Sequence, residues 1–508
     1  MGLLTMFLKG KEKEQKKKAG EANFDNQLAD IDFLSQLAYM ASISTSGISR
    51  SGLFFYSAKL PYIATKYFRR VDFVAKMFNH DYSQACRIIG EKIKVPDIKA
   101  LLLRLSNALA SGEDISAFLD REAYVLSESY TSIYERKIDV LKKWADAYVS
   151  LILTSALVTV MSVVTMMIGS VSVSFIISIS AVTILATIFG AWFLFNTAPR
   201  ESKNHSLAYR SHEQNMIKYL SRILLPIGGI VILGMLAMHI NLGYMLLVAS
   251  AFLFPIGLVA TTDDKKVTLR DSDISAFLRS LGGTMQAIGA TATEAMGRLD
   301  FRSLGSLTED VKLLHTRLEA GVSPNLCWDR FVEETGSELV NRSVRIFWDG
   351  VSFGGEPQRV SNSASAFAMK ISLLRAQRNQ VALGFTWLTI VMHAVLVTLS
   401  IFVYEVFLSF STLVTSIIPA GTSNAMQSMA GMPSSGFFSQ NGAEIHLLHF
   451  MIILITIILT IANAFSIYAV SGGHSSKLTF YLAITSAISG LIMIGVPPVV
   501  HIMFTAFK

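Results

Sequence analysis

The sequence predicts an all-α, polytopic helical membrane protein with about seven transmembrane helices and two repeated cytoplasmic helical-bundle domains. Three observations lead to this fold class: an apolar composition, charges confined to separate blocks, and a motif shared by two of those blocks. Charged residues make up 16% of the 508 residues and hydrophobic ones 52%, with a mean hydropathy of +0.47. Soluble proteins usually carry about a quarter charged residues. The composition therefore favours a membrane protein over a soluble enzyme or a disordered chain.

The charged blocks separate long apolar segments. Blocks 1–147, 196–222 and 261–380 hold 42 of the 44 Lys and Arg residues. A bilayer core of about 30 Å needs about 20 apolar helical residues. The predicted spans are Tyr148–Gly169, Ser172–Phe195, Ile223–Ile240, Leu242–Ala260, Val381–Phe410, Leu447–Val470 and Phe480–Phe504. Residues 223–260 are divided at His239, Asn241 and Gly243 because one helix of that length, about 57 Å, is too long to cross once.

The basic residues also predict orientation, because short cytoplasmic loops are enriched in Lys and Arg. The N-terminus and the three charged blocks are placed inside, and the C-terminus is placed outside. The net charge of +7 suits an anionic membrane face. The predicted plan is a basic flexible tail (1–22), a first cytoplasmic helical domain (23–147), four spans with a cytoplasmic loop (148–260, loop 196–222), a second cytoplasmic helical domain (261–380), and three spans with an outer loop (381–508, loop 411–446).

An internal repeat relates the two large charged blocks. Leu105–Arg121 reads LSNALASGEDISAFLDR and Leu314–Arg330 reads LHTRLEAGVSPNLCWDR, at a constant offset of 209. The Leu spacing of four fits the buried stripe of a helix, and the following Gly suits a left-handed helix end. Each copy is predicted to form a helix, a Gly turn and a second helix. The matching residues are Leu105, Leu109, Gly112, Asp120 and Arg121 in the first copy and Leu314, Leu318, Gly321, Asp329 and Arg330 in the second.

This duplicated L-x-x-x-L-x-x-G-x(7)-D-R pattern, followed each time by membrane helices, resembles the type II secretion F domain family. That family comprises the inner-membrane platform proteins of secretion pseudopili, type IV pili and the archaeal motility filament. The long N-terminal block and the seven-span layout resemble the archaeal branch, and most closely its archaellum platform proteins. The resemblance implies a homodimer whose cytoplasmic bundles contact a hexameric assembly ATPase and couple it to insertion of pilin-like filament subunits. Archaellum and adhesive pilus both remain open.

Basic residues before the first and fifth spans are candidates for contact with that ATPase. The alternative is simple anchoring on the inner leaflet, where Lys and Arg are attracted to anionic lipid. The candidates are Arg136, Lys137, Lys142, Lys143, Lys370, Arg375 and Arg378.

Signals for catalysis are missing from the sequence. It contains no G-x-x-x-x-G-K-[ST], and the nearest imitation, the segment ending at Lys477, lacks the spacing and a preceding strand. Cys86 and Cys327 lie too far apart in the sequence to indicate a disulfide framework or metal-ligand spacing. We therefore predict no enzymatic activity, no cofactor or metal, and no nucleic-acid partner.

The main alternative function is a transporter or channel with regulatory cytoplasmic helical domains. The spans lack a paired set of buried acids and bases, which argues against it. His393, near mid-depth, is interpreted as packed between helices, and Asn463 as hydrogen-bonded to a neighbouring helix. A membrane enzyme or sensor is a third alternative that no catalytic constellation supports.

The predicted outer loop 411–446 has no basic residue and carries Met426, Met429 and Met432. Methionine surfaces adapt to variable apolar partners, so contact with a filament subunit is one interpretation. A short interfacial helix is the other, and re-entry of this loop would raise the span count to eight or nine.

Overall fold

The computed structural model describes residues 30–168, 173–205, 210–417 and 442–505. Within these ranges the regular secondary structure is helical, and a single isolated β-bridge joins Asn204 to Ser337. The predicted all-α fold is confirmed. The predicted basic tail, the turn at Gly169 and Ser170, and most of the outer loop lie outside the described residues.

The helices follow one another with short connections. In chain order they are α1 (30–44), α2 (Arg50–Ser57), α3 (Thr65–Met77), α4 (Tyr82–Lys92), α5 (Pro96–Ser111), α6 (Ile115–Ile168), α7 (Val173–Thr197), α8 (His212–Ala237), α9 (Leu242–Ile288), α10 (Ala292–Gly297), α11 (Thr308–Glu319), α12 (Pro324–Thr335), α13 (Glu338–Ser352), α14 (Pro357–Ile417), α15 (Gly442–Ser471) and α16 (Lys477–Thr505). A 3₁₀ segment, Phe301–Leu307, precedes α11.

The chain divides into two compact units. The described part of the first, which we call the charged unit, is 30–136, 199–205, 210–212 and 264–376. The second, the apolar unit, contains the described residues of 137–198, 213–263 and 377–505. Both copies of the repeat motif belong to the charged unit. The predicted domain boundaries, at 23–147 and 261–380, stay a prediction.

Three long helices contribute residues to both units. Helix α6 changes unit after Arg136, α9 after Asp263 and α14 after Ala376. No Pro or Gly interrupts α9 at this point, where the sequence Thr-Thr-Asp-Asp-Lys-Lys follows Ala260. Charged residues such as Lys are good helix formers, so the helix continues although the hydrophobic run stops.

The core of the charged unit draws on both charged blocks. Helix α1 packs on α13, where the Ser42 hydroxyl donates to the carbonyl of Ile346 at 2.7 Å. Arg342 of α13 is buried and donates to Asp32 at 2.7 Å and to Ser35 at 2.8 Å. Because the ion pair is buried and hydrogen-bonded, it fixes α1 on α13 with defined geometry. The largest fully buried side chains of this unit include Phe54, Phe68, Phe277, Trp328, Phe331 and Phe347.

The apolar unit is organised around small and aliphatic side chains. On α6 a stripe at Ile138, Leu141, Ala145, Tyr148 and Ile152 is buried, and its alternating spacing of three and four is that of one helix face. From Leu141 to Ile152 the stripe packs in one core with residues of α7, α14, α15 and α16. Many large apolar side chains on the outside of the unit are exposed, as expected for helices that face lipid.

Six helices within the described residues are long and apolar enough to cross a membrane. The chain is therefore a multi-pass membrane protein. The predicted turn between the third and fourth spans is confirmed, since α8 ends at Ala237, α9 begins at Leu242, and His239 has a φ of 55°. The remaining predicted span, Tyr148–Gly169, falls on α6, which is helical to Ile168. The six helical stretches are Ile177–Thr197, His212–Ala237, Leu242–Ile288, Pro357–Ser409, His449–Ser471 and Lys477–Phe504.

Glycines allow α9 and α16 to approach closely within the apolar unit. A Cβ atom added at Gly257 would lie 2.4 Å from the Cα of Phe480 and 2.5 Å from its main-chain nitrogen. A Cβ at Gly490 would lie 2.8 Å from the carbonyl oxygen of Gly243. Small residues at such crossings are typical of membrane helix pairs, because close backbone approach supplies their van der Waals contact.

Candidate functional site

The two copies of the repeat motif form the same local structure. Gly112 caps the end of α5 and Gly321 follows α11, and both glycines have a φ of 75°. Leu105 and Leu314 are fully buried, and Leu109 and Leu318 are also buried. The second helix of the second copy, α12, begins at Pro324, whose fixed φ suits the first helical position. The predicted helix, Gly turn and helix are confirmed for both copies.

An Arg–Glu pair joins the two helices of each copy. In the first copy Arg104 donates two hydrogen bonds to Glu122, at 2.7 and 2.6 Å. In the second, Arg317 donates two to Glu334, at 2.8 and 2.6 Å. Bidentate pairs of this kind fix orientation as well as distance. They were not predicted, because the two arginines occupy different positions within the repeat.

The four polar motif residues have different surroundings. Asp120 accepts a hydrogen bond from Arg359 at 3.0 Å, and Arg121 pairs with Glu113. In the second copy Arg330 lies 3.4 Å from both Glu333 and Glu334. Asp329 is exposed, and it has no hydrogen bond or ion pair with another described residue.

A buried ion network in the charged unit is centred on Arg375. Its Nε donates to Glu201 at 2.9 Å and its Nη1 to Asp271 at 2.7 Å. Glu201 also accepts from Tyr134, and Asp271 accepts from Ser337. Burial alone would lower the pKa of Arg375, but the carboxylates of Asp271 and Glu201 raise it above its ordinary value. The guanidinium is therefore held charged, and it holds α14, α9 and the segment after α7 together.

The segment 199–205 is an integral part of the charged unit. The main-chain nitrogen of Glu338 donates to the carbonyl of Lys203 at 2.9 Å. The Lys203 ammonium in turn donates to Asp264 at 2.7 Å and to Thr268 at 2.6 Å. The sequence predicts this segment only as part of a cytoplasmic loop. Neither its hydrophobic periodicity nor the spacing of its residues indicates ion pairs with distant parts of the chain.

The candidate basic residues before the fifth span bind partners within the chain. Lys370 donates to Glu128 at 2.7 Å within the charged unit. Within the apolar unit, Arg378 is buried and donates to the carbonyls of Val470 and Ala469, both at 3.1 Å, near the end of α15. A cation at a helix C-terminus satisfies carbonyls that lack intrahelical donors. Together with Arg375, these residues have a visible structural role, and their assignment as ATPase contacts stays a prediction.

The candidates before the first span lie on α6 and face away from its buried stripe. Arg136, Lys142 and Lys143 are exposed, and Lys137 is half-buried. Glu135, Asp139 and Asp146 are exposed on the same stretch, so its outer surface carries both signs of charge. The exposed side chains of Arg136, Lys142 and Lys143 are accessible to a partner, whereas Arg378 on α14 is buried.

A hydrogen-bonded polar cluster lies inside the apolar unit. Tyr148 donates to Asn463 at 2.7 Å, and the Asn463 amide nitrogen lies 3.0 Å from His393 Nδ1. His393 Nε2 lies 2.9 Å from the Ser489 hydroxyl, which is 2.8 Å from that of Thr460. With Nδ1 as acceptor and Nε2–H as donor, one neutral tautomer satisfies both contacts. The contacts match the predicted packing of His393 between helices and the predicted hydrogen bonding of Asn463.

Two curated proteins are similar to the chain. It is 27% identical to flagella accessory protein J of Methanocaldococcus jannaschii over 314 residues, which cover 59% of this chain and 55% of the relative. The similarity to the archaeal branch is confirmed. The chain is also 22% identical to flagella accessory protein J of Methanococcus voltae over 331 residues, which cover 61% of this chain and 58% of the relative.

These alignments cover only part of this chain and part of each relative. The chain spans between half and three fifths of the length of the two relatives. No protein-family model matches the chain, so assignment of its charged blocks to the type II secretion F domain stays a prediction. No solved structure matches it.

Proposed function

We propose that the chain is a membrane platform protein of an archaellum, a type IV pilus-like filament. In this role it couples a cytoplasmic hexameric assembly ATPase to the insertion of filament subunits. The observation that carries the proposal is the similarity to two proteins named flagella accessory protein J. Their name favours the archaellum over an adhesive pilus.

The structure supports the proposal through the distribution of charge along three helices. Helices α6, α9 and α14 each join a charged part, suited to a soluble partner, to an apolar part, suited to lipid. A displacement imposed on the charged part of such a helix is passed along its backbone hydrogen bonds to the apolar part. We further propose that the protein works as a homodimer and does no chemistry itself.

The proposal requires the charged unit to face the cytoplasm. Both native cysteines are buried, so an introduced cysteine can be labelled with little background. In intact cells, Lys94→Cys in the charged unit should stay unlabelled by a membrane-impermeant maleimide, and Asn241→Cys in the α8–α9 turn should react. Both positions are exposed. Opening the membrane should make Lys94→Cys reactive. The opposite labelling pattern contradicts the orientation.

The exposed basic residues of α6 provide the test for the ATPase. The triple variant Arg136→Glu, Lys142→Glu and Lys143→Glu should weaken binding of the ATPase about tenfold, since each exposed ion pair contributes up to about 1 kcal/mol. Binding is measured with full-length protein in lipid nanodiscs at two salt concentrations. The wild-type affinity should fall as salt rises, because exposed charges are screened.

A charge-preserving control separates binding from folding and insertion. The variant Arg136→Lys, Lys142→Arg and Lys143→Arg should bind the ATPase like the wild type. Cysteine labelling of the reversed variant verifies its orientation, since reversing charges beside a span can change topology. Equal affinity of the reversed and wild-type proteins would show that these residues serve lipid anchoring instead.

A further inference from the structure

A cavity of about 330 Å³ lies in the charged unit, against α12 and α13. Its wall includes side chains of both signs of charge and two indole rings. The residues used below are Trp328, Asp329, Arg345, Trp348 and Asp349. None of the ion pairs described above lines this cavity.

An unsatisfied donor lies in the wall. Trp328 is buried, and its indole N–H has no hydrogen-bond partner among the described residues. The ring is fixed by Phe331 and Phe347, both in edge-on contact, with centroids 5.8 and 6.0 Å away. Leaving a buried donor unpaired is unfavourable. The N–H is closed to solvent, so Trp328 contributes its fixed ring to the cavity wall and no donor to a ligand.

The second feature of the cavity is Asp329 at its rim. The first copy of the repeat shows what an aspartate at this motif position can bind. Asp329 occupies the motif position of Asp120, and Asp120 also lines a cavity, of about 260 Å³. In the first copy an arginine of the same chain, Arg359, binds that carboxylate at 3.0 Å. In the second copy no described residue takes the place of Arg359, although the preceding helix, Gly turn and buried leucines are the same.

The charge and ring geometry of the cavity suit a guanidinium. Asp329 and Asp349 contribute two carboxylates, of which Asp349 already accepts a hydrogen bond from Tyr39 at 2.9 Å. Burial raises the pKa of Asp349, and repulsion from Asp329 adds to this. Arg345 offsets one of these charges, so the wall has an excess of negative charge. Trp348 stacks on Trp328 with ring centroids 5.6 Å apart, and it is itself half-buried. A half-buried indole offers the flat surface on which arginine stacks.

We propose that this cavity receives an arginine side chain from a partner protein, with its guanidinium on Asp329 and against Trp348. The partner is the cytoplasmic assembly ATPase, and this identity rests on the proposed function. Asp329 thus binds an arginine of the partner, whereas Asp120 binds an arginine of its own chain.

The test removes the rim charge without disturbing the fold. Asp329→Asn should weaken ATPase binding by full-length protein in nanodiscs about tenfold, the loss expected for one charge-assisted bidentate contact. Glu294→Gln is the matched control, because it removes an exposed carboxylate of the same unit. It should bind like the wild type. Because Asp329 pairs with no other residue that the structure describes, its variant should keep the wild-type unfolding temperature.

A small probe separates this inference from the proposed function. N-acetyl-arginine amide should change the tryptophan fluorescence of the wild type saturably, N-acetyl-lysine amide should do so more weakly, and Asp329→Asn should lose the response.

If the wild-type chain does not bind the ATPase but keeps this response, the proposed partner is wrong and the arginine site stands. If Asp329→Asn binds ATPase and probe like the wild type, the inference is overturned. If Asp329→Asn converts a dimer into monomers while ATPase binding is unchanged, the arginine comes from a second copy and the ATPase assignment is overturned.

Discussion

Replacing Arg375 with methionine should destabilise the protein by about 3–5 kcal/mol, the cost of leaving buried carboxylates without their cation. Arg375 is the shared partner of Glu201 and Asp271, and its guanidinium is buried with them. Methionine fills a similar volume but donates no hydrogen bond, so the two acids remain close together in a poorly solvated site. The measurement is the thermal unfolding midpoint of purified protein in detergent.

Two further variants serve as the control and the rescue for Arg375→Met. Arg279→Met removes an exposed arginine of α9 in the same unit, and its midpoint should stay near that of the wild type. Combining Arg375→Met with Glu201→Gln and Asp271→Asn removes the uncompensated charges and should recover part of the loss. An Arg375→Met protein that unfolds at the Arg279→Met temperature would contradict the structural role of the network.

Replacing Gly257 with alanine should have the second-largest effect, a loss of about 1–3 kcal/mol or more from overpacking. The new Cβ would lie 2.4 Å from the Cα of Phe480, and a backbone atom cannot rotate away as a side chain can. Helices α9 and α16 must therefore separate along their contact. Measurement of the unfolding midpoint in detergent detects this change.

The same substitution at Gly234 of α8 is the matched control. No heavy atom lies within 4 Å of a Cβ added there, and alanine favours a helix over glycine by about 1 kcal/mol. Gly234→Ala should therefore leave the midpoint unchanged or raise it. Equal behaviour of the two variants would mean that the contact at Phe480 does not hold the helices together.

Much of the fold was predictable from hydrophobic periodicity and charge distribution. The absence of charges in 223–260 and 445–476 predicts membrane helices, and Gly112 and Gly321 predict helix ends, because these signals are local. The continuity of α6, α9 and α14 was harder to predict. A change from apolar to charged residues resembles a boundary, although such a change does not by itself end a helix.

The candidate site was less predictable because its contacts join distant parts of the chain. Arg375 is identifiable as a basic residue before a span, but its partners Glu201 and Asp271 lie 174 and 104 residues earlier. Nothing local to Arg375 predicts that it is buried and that Lys143 is exposed. The repeat was the one long-range signal in the sequence. Its comparison between copies shows that Asp120 pairs with Arg359, whereas Asp329 pairs with none of the residues in the described ranges.

The cluster of Tyr148, Asn463, His393 and Ser489 restricts how the membrane bundle can work. Its hydrogen bonds link α6, α14, α15 and α16 in one register, with donor–acceptor distances of 2.7–3.0 Å. A piston-like slide of one helix by a full turn, about 5.4 Å, would break these bonds in a medium with no water to replace them. A working stroke of the kind proposed above would therefore have to tilt or swivel the four helices as a single body.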